Sequence, residues 1–91
     1  MATIDNLVNV DELNVVTALR EATQQLERVG GDLVLDFSCV NRLDSAAVRS
    51  IEKLASIAEE KAVKVTLRGV NIDLYKTLKL MKLAHRFAFV D

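Results

Sequence analysis

The sequence predicts a single α/β domain spanning residues 1–91, built on a small, mostly parallel sheet with amphipathic helices chiefly on one face. Three observations predict it. Short apolar runs alternate with longer stretches of helical apolar spacing, and that alternation implies parallel strands joined by right-handed crossovers. Each of the three helical stripes has one polar side, so helices cover one sheet face better than the other. Ninety-one residues, 51% apolar and 27% charged, suffice for one core and a solvated surface, and fall short of two independent domains.

Val8 and Val10, two apart, suit a leading strand. Val15, Leu19, Ala22, Leu26 and Val29 follow 4-3-4-3 spacing, with Asp11 as N-cap and Gly30-Gly31 as the stop, which predicts a first helix over about 12–29. Leu33-Val34-Leu35 with Phe37 is too short for a helix and does not alternate, the pattern of a central strand covered on both faces. After the polar connection 41–45, Val48, Ile51, Leu54, Ala55 and Ala58 predict a second helix ending near Ala62. Val63, Val65 and Leu67 alternate with Lys64, Thr66 and Arg68 as a half-exposed strand closed by Gly69. Leu74, Leu78, Met81 and Ala84 form a third helical stripe behind Asn71 or Asp73 as cap. Phe87, Phe89 and Val90 form a short apolar tail suited to a last strand.

Composition excludes several classes of function. One Cys rules out a disulfide framework and fits a reducing, cytoplasmic setting. Met1 to Asn6 show no basic region leading into an apolar stretch, and no run of about 18 apolar residues marks a membrane span. One His and one Cys cannot close a tetrahedral metal shell, and Gly30-Gly31 precedes a strand and forms no phosphate loop, so neither metal nor cofactor is expected. Ser45, His85 and Asp44 are residue types of a triad without nucleophile-elbow spacing, and no catalysis is expected. Cys39 follows an apolar strand and reads as a small packed residue. His85 is expected in the basic last turn of the third helix, supporting its C-terminus.

The formal net charge of −1 hides a split. Residues 1–44 carry eight acids against Arg20, Arg28 and Arg42, whereas residues 45–91 carry nine bases against Glu52, Glu59, Glu60, Asp73 and Asp91. Lys76, Lys79, Lys82 and Arg86 are expected on one side of the third helix, over an arc of about 120°. A solvated face accounts for them, and so does contact with an acidic partner or phosphate groups. Nucleic acid is not expected, since a single Tyr and no Trp leave no stacking platform.

Ligands and partners of such folds engage at the carboxyl ends of strands and the helix starts that follow, here Asp36 to Arg49. Asp44 or Ser45 stands at the N-cap of the second helix, and capping alone accounts for the serine. The other reading makes Ser45 a phosphoacceptor, whose added charge a helix start tolerates but a partner packed flush on the turn does not.

Between Leu33 and Leu54, the Asp-Phe-Ser and Leu-Asp-Ser-Ala-Ala-Val elements resemble the signature of STAS domains. This is the fold of anti-sigma-factor antagonists and of the small STAS subunits of lipid-transport ABC systems. The resemblance runs from Val10-Asp11 through Val63 and Thr66-Leu67 to Leu74, Leu78 and Leu83. It implies phosphorylation of Ser45, directly after Asp44, with Asp36 and Asp44 supporting the turn. It also implies a docking surface for an anti-sigma factor with serine kinase activity. The expected partner-binding residues are Asp36, Ser38, Asn41, Arg42 and Asp44 in the turn, followed by Ser45, Ala46, Ala47, Val48 and Arg49 on the helix. The implied function is that of an anti-sigma-factor antagonist, which holds its partner while Ser45 is unmodified and releases it on phosphorylation. The alternative is a cytoplasmic STAS subunit that docks the same turn on the ATPase subunit of a lipid-transport ABC system. Two departures stand out. Ala46-Ala47 replace the family's Ser or Thr followed by Gly, placing two methyl groups where a partner's backbone would approach. Only about ten residues precede the first helix, where the family commonly has a further strand, which implies a reduced partner surface or a sheet edge open to homodimer formation.

Overall fold

The computed structural model describes residues 7–28 and 31–90. Strand β1 (Leu7–Asn9) leads through a 3-10 turn (Glu12–Asn14) into α1 (Val15–Arg28), followed by β2 (Leu33–Asp36), α2 (Ser45–Glu60) and β3 (Val65–Arg68). Helix α3 (Ile72–Leu80), a second 3-10 turn (Ala84–Arg86) and β4 (Ala88–Val90) complete the chain order. Val29 and Gly30, assigned to the first stripe and its stop, lie outside the described residues.

The four strands form one parallel sheet in the order β1-β2-β3-β4. Every crossover steps to the next neighbour in the same direction, so right-handed connections place all three helices on one face. Burial follows that geometry. Val8, Leu35, Leu67 and Phe89 are in register across the sheet on the helix side, beside Leu33 and Val65. On the opposite face Leu7, Val34, Thr66 and Ala88 form one row, and Asn9, Asp36, Arg68 and Val90 the next. Val34, Asp36, Thr66 and Ala88 are half-buried and Leu7, Asn9, Arg68 and Val90 are exposed. Strand β2 is therefore covered on one face only, not on both as its apolar run suggested. Its neighbours on each side shield Val34 enough to tolerate an apolar side chain without a covering layer.

Leu19, Ala22 and Leu26 of α1 meet Ile51, Leu54 and Ala55 of α2 in the core, together with Leu74 and Leu78 of α3. Helices α2 and α3 end in the same way. Val63 N–H donates to the Ala58 carbonyl at 2.8 Å, and Leu83 N–H to the Leu78 carbonyl at 2.8 Å. Both are six-to-one closures with the preceding residue left-handed: Ala62 at φ 55° and Lys82 at φ 61°. These stops correct the expected third helix. Met81 is its C-cap and 48% exposed, Leu83 is the buried residue beyond it, and Ala84, His85 and Arg86 belong to the separate 3-10 turn. The four-residue basic arc consequently does not exist as one helical face. Arg86 instead spans to α2, donating from Nε and Nη2 to the two carboxylate oxygens of Glu59 at 2.8 and 2.7 Å. That contact lowers the Glu59 pKa and raises that of Arg86, the hydrogen bonds being the larger cause.

Candidate functional site

The site is the connection from β2 to α2, at the carboxyl end of the sheet. Phe37 N–H donates to the Arg68 carbonyl at 2.8 Å, carrying β2 pairing one residue further. A tight turn follows, closed by Val40 N–H on the Phe37 carbonyl at 2.9 Å. Asp36 accepts hydrogen bonds from both the backbone N–H and the hydroxyl of Ser38. These bonds hold its carboxyl below the usual Asp range, with Arg68 adding a smaller electrostatic contribution. Cys39 sits at the outer corner of the turn and is exposed, which overturns its reading as a packed residue: Phe37 and Val40 take the two inward positions. Gly69 closes over the turn from β3. A Cβ there would stand 2.8 Å from the Ser38 Cβ, and its φ of 69° is itself left-handed.

The rest of the loop is fastened on two sides. Glu12, from the turn before α1, accepts from Asn41 through both carboxylate oxygens, from the backbone N–H at 3.1 Å and from Nδ2 at 3.3 Å. Asn71 Nδ2 donates to the carbonyls of Val40 at 3.2 Å and Asn41 at 3.3 Å, while its Oδ1 accepts from Leu74 N–H and caps α3. Asn71 was one of the two caps the sequence offered, and Asp73 falls in the first turn of α3 instead. The bridging roles of Glu12, Asn71 and Gly69 carry no local signal in the sequence, because each partner lies about 30 residues away.

The ambiguity at the start of α2 is resolved: Asp44 Oδ1 accepts from Ala47 N–H at 2.8 Å, which makes Asp44 the N-cap and Ser45 the first helical residue. Ser45 is exposed, and among the described residues its hydroxyl has no hydrogen-bond partner. Ala46 and Arg49 share that exposed ridge, together with Arg42 on the loop. Ala47 and Val48 do not, being 2% and 8% exposed and turned into the core. Of the two methyl groups that depart from the family pattern, only that of Ala46 therefore faces an incoming partner.

Grooves run along both sides of the ridge. One lies against the start of α1 and includes Leu13, Val16 and Arg42; the other lies against α3 and includes Leu43, Arg49, Thr77 and Met81. Leu13, 88% exposed, and Met81 give the grooves apolar rims. Sequence reasoning missed both, Leu13 because it falls outside the first stripe and Met81 because it continues the third. Among the described residues no cluster of His, Cys, Asp and Glu could hold a metal ion, and no helix is long and apolar enough to cross a membrane.

A one-sided four-stranded parallel sheet with a capped, exposed serine turn at the start of α2 defines a STAS domain, and the chain belongs to that family. The family model that matches it, described as Mlab, STAS domain, covers residues 10–91. The chain is 32% identical over 83 residues to the intermembrane phospholipid transport system binding protein MlaB of Escherichia coli K12, covering 91% of this chain and 86% of that protein. MlaB of Shigella flexneri matches with the same identity and coverage. Among solved structures, one from Thermotoga maritima assigned as an anti-sigma factor antagonist superposes with a TM-score of 0.77 at 16% identity, over 99% of this chain and 83% of that one. That likeness establishes the fold. STAS domains are binding and regulatory modules.

Proposed function

We propose that this STAS domain is the binding subunit of a phospholipid-transport system, docking on the system's ATPase subunit through the Ser45 ridge from the cytoplasmic side. The observation that carries the reading is the match to MlaB along nearly the full length of both chains. The geometry supplies the means. Arg42, Ser45 and Arg49 offer hydrogen bonds and positive charge along the ridge beside the small Ala46, and Leu13 and Met81 offer apolar anchors on its flanks. Buried apolar anchors together with polar groups that supply hydrogen bonds and charge are the usual ingredients of a protein-protein contact. The test is co-purification of the transport system's ATPase subunit with the tagged chain when the two are co-expressed. Ala46→Arg, a bulky change at an exposed helical position that leaves the core intact, is expected to abolish capture. Retention of the ATPase subunit by that variant would sink the proposed surface.

A second reading, an anti-sigma-factor antagonist switched by phosphorylation of Ser45, is favoured by one specific observation. Asp44 does the capping, so the Ser45 hydroxyl is unengaged and exposed. A phosphate there would meet the unpaired N–H groups of the first turn, which favour an anion, and would oppose any partner seated flush on the ridge. Incubation with an anti-sigma kinase and ATP, followed by mass spectrometry, is expected under this reading to place phosphate on Ser45. A kinase that leaves Ser45 unmodified excludes it.

A further inference from the structure

On the flank of α3 away from Ser45, Tyr75, Lys79, Lys82, Ala84, His85 and Phe89 line a cleft of about 430 Å³. Its wall is an edge-to-face aromatic pair, the rings of Tyr75 and Phe89 lying 5.2 Å apart at 78°. Lys79 and Lys82 supply the charge and His85 a ring nitrogen for hydrogen bonding, and among the described residues none of them has a carboxylate within ion-pairing distance. Glu59 is already engaged through both oxygens by Arg86. Asp73, the one acid on α3, projects from the far side of the helix. The helix end adds little opposing charge, because the carbonyls of Thr77, Leu78 and Lys79 accept from the N–H groups of Met81, Leu83 and Lys82 respectively. Lys82 also occupies a left-handed position, φ 61°, where glycine is the comfortable residue. A long cationic side chain is thus held at the rim of the cleft at a backbone position that does not favour it.

We propose that this cleft binds a phosphate group carried on an aromatic or other apolar body, with Lys79, Lys82 and His85 on the phosphate and the Tyr75–Phe89 wall against the apolar part. Positive charge selects the anion, and the ring edges select ligands with a hydrophobic portion. The site is separate from the Ser45 ridge, and its test does not depend on the partner bound there.

The chain is titrated with phenyl phosphate and followed by the amide NMR shifts of Lys79, Lys82, His85 and Phe89. Saturable shifts at these positions are expected, with inorganic phosphate binding about tenfold more weakly for lack of the ring. Lys82→Gly is expected to weaken phenyl phosphate binding about tenfold. Because glycine suits the backbone there, this variant keeps its fold. Lys64→Gln, which removes a charge from the start of β3, is expected to bind as the unaltered chain does. Sedimentation with phosphatidylcholine vesicles containing phosphatidic acid separates the sources of the phosphate. Co-sedimentation lost in Lys82→Gly and competed by phenyl phosphate assigns a lipid headgroup, and phenyl phosphate binding without co-sedimentation assigns a soluble ligand. Absence of saturable shifts overturns the proposal, as do equal losses in Lys64→Gln and Lys82→Gly or equal affinity for inorganic and phenyl phosphate.

Discussion

Asp36 ends β2 with its carboxylate held by two donors from Ser38, and the direction of its pKa shift fixes the sign of a pH effect. Its folded pKa lies below the ordinary value, so the stabilisation it brings is fully present above the unfolded pKa, near 4, and is lost as pH falls through the folded value. In Ser38→Ala the hydroxyl donor is gone while the Cβ that packs on Gly69 remains. The Asp36 titration midpoint is expected to rise toward the ordinary value, read by carboxyl carbon NMR, and an unmoved midpoint would show that the hydroxyl bond does not hold the charge. Gly69→Ala brings a Cβ to 2.8 Å from the Ser38 Cβ at a left-handed φ. Steric overlap and backbone strain together are expected to cost more than about 1 kcal/mol, measured by denaturant unfolding.

The helix ends show where reading along the chain succeeds and fails. Asp11, Asp44 and Asn71 are all caps in the structure, Asp11 of the 3-10 turn that leads into α1; the sequence named Asp11 for the first helix and left Asp44 open against Ser45 and Asn71 open against Asp73, because short polar residues cluster just ahead of each apolar period. The stop of α2 was read to within two residues, near Ala62, whereas that of α3 was not legible, since Lys82 takes the left-handed position that glycine usually marks. The apolar period of α3 therefore appeared to continue through Met81 and Ala84, and with it the basic arc. Ala62→Gly relieves the same left-handed conformation after α2 and is expected to raise the melting temperature by a few degrees, the equivalent of up to about 1 kcal/mol; a lowered melting point would mean that the methyl group packs usefully. The strands and their parallel order were also legible, from alternation and short connections. The bare sheet face was not, because Val34 is apolar whether or not anything covers it. Within the site, the position of the Ser45 turn followed from the start of the second helix, whereas Glu12 and Asn71 became visible only once the chain had folded.

For the whole molecule, a domain of 91 residues has a net stability of only about 5–15 kcal/mol. One layer of helices on one sheet face carries nearly all of its buried apolar surface, with Leu54 fully inaccessible between α1 and the sheet side of α2. Leu54→Ala is expected to cost about 2–5 kcal/mol, a large share of the total, visible as a lower denaturant midpoint at nearly unchanged slope. The fastening of the 38–43 loop by Glu12 and Asn71 has a consequence for recognition. Both residues lie on chain segments about 30 positions from the loop they hold, so the tertiary fold orders the loop before any partner arrives. Under the docking proposed for the ridge, an encounter there incurs little entropy of ordering, because the loop is already held by residues that lie off the ridge itself.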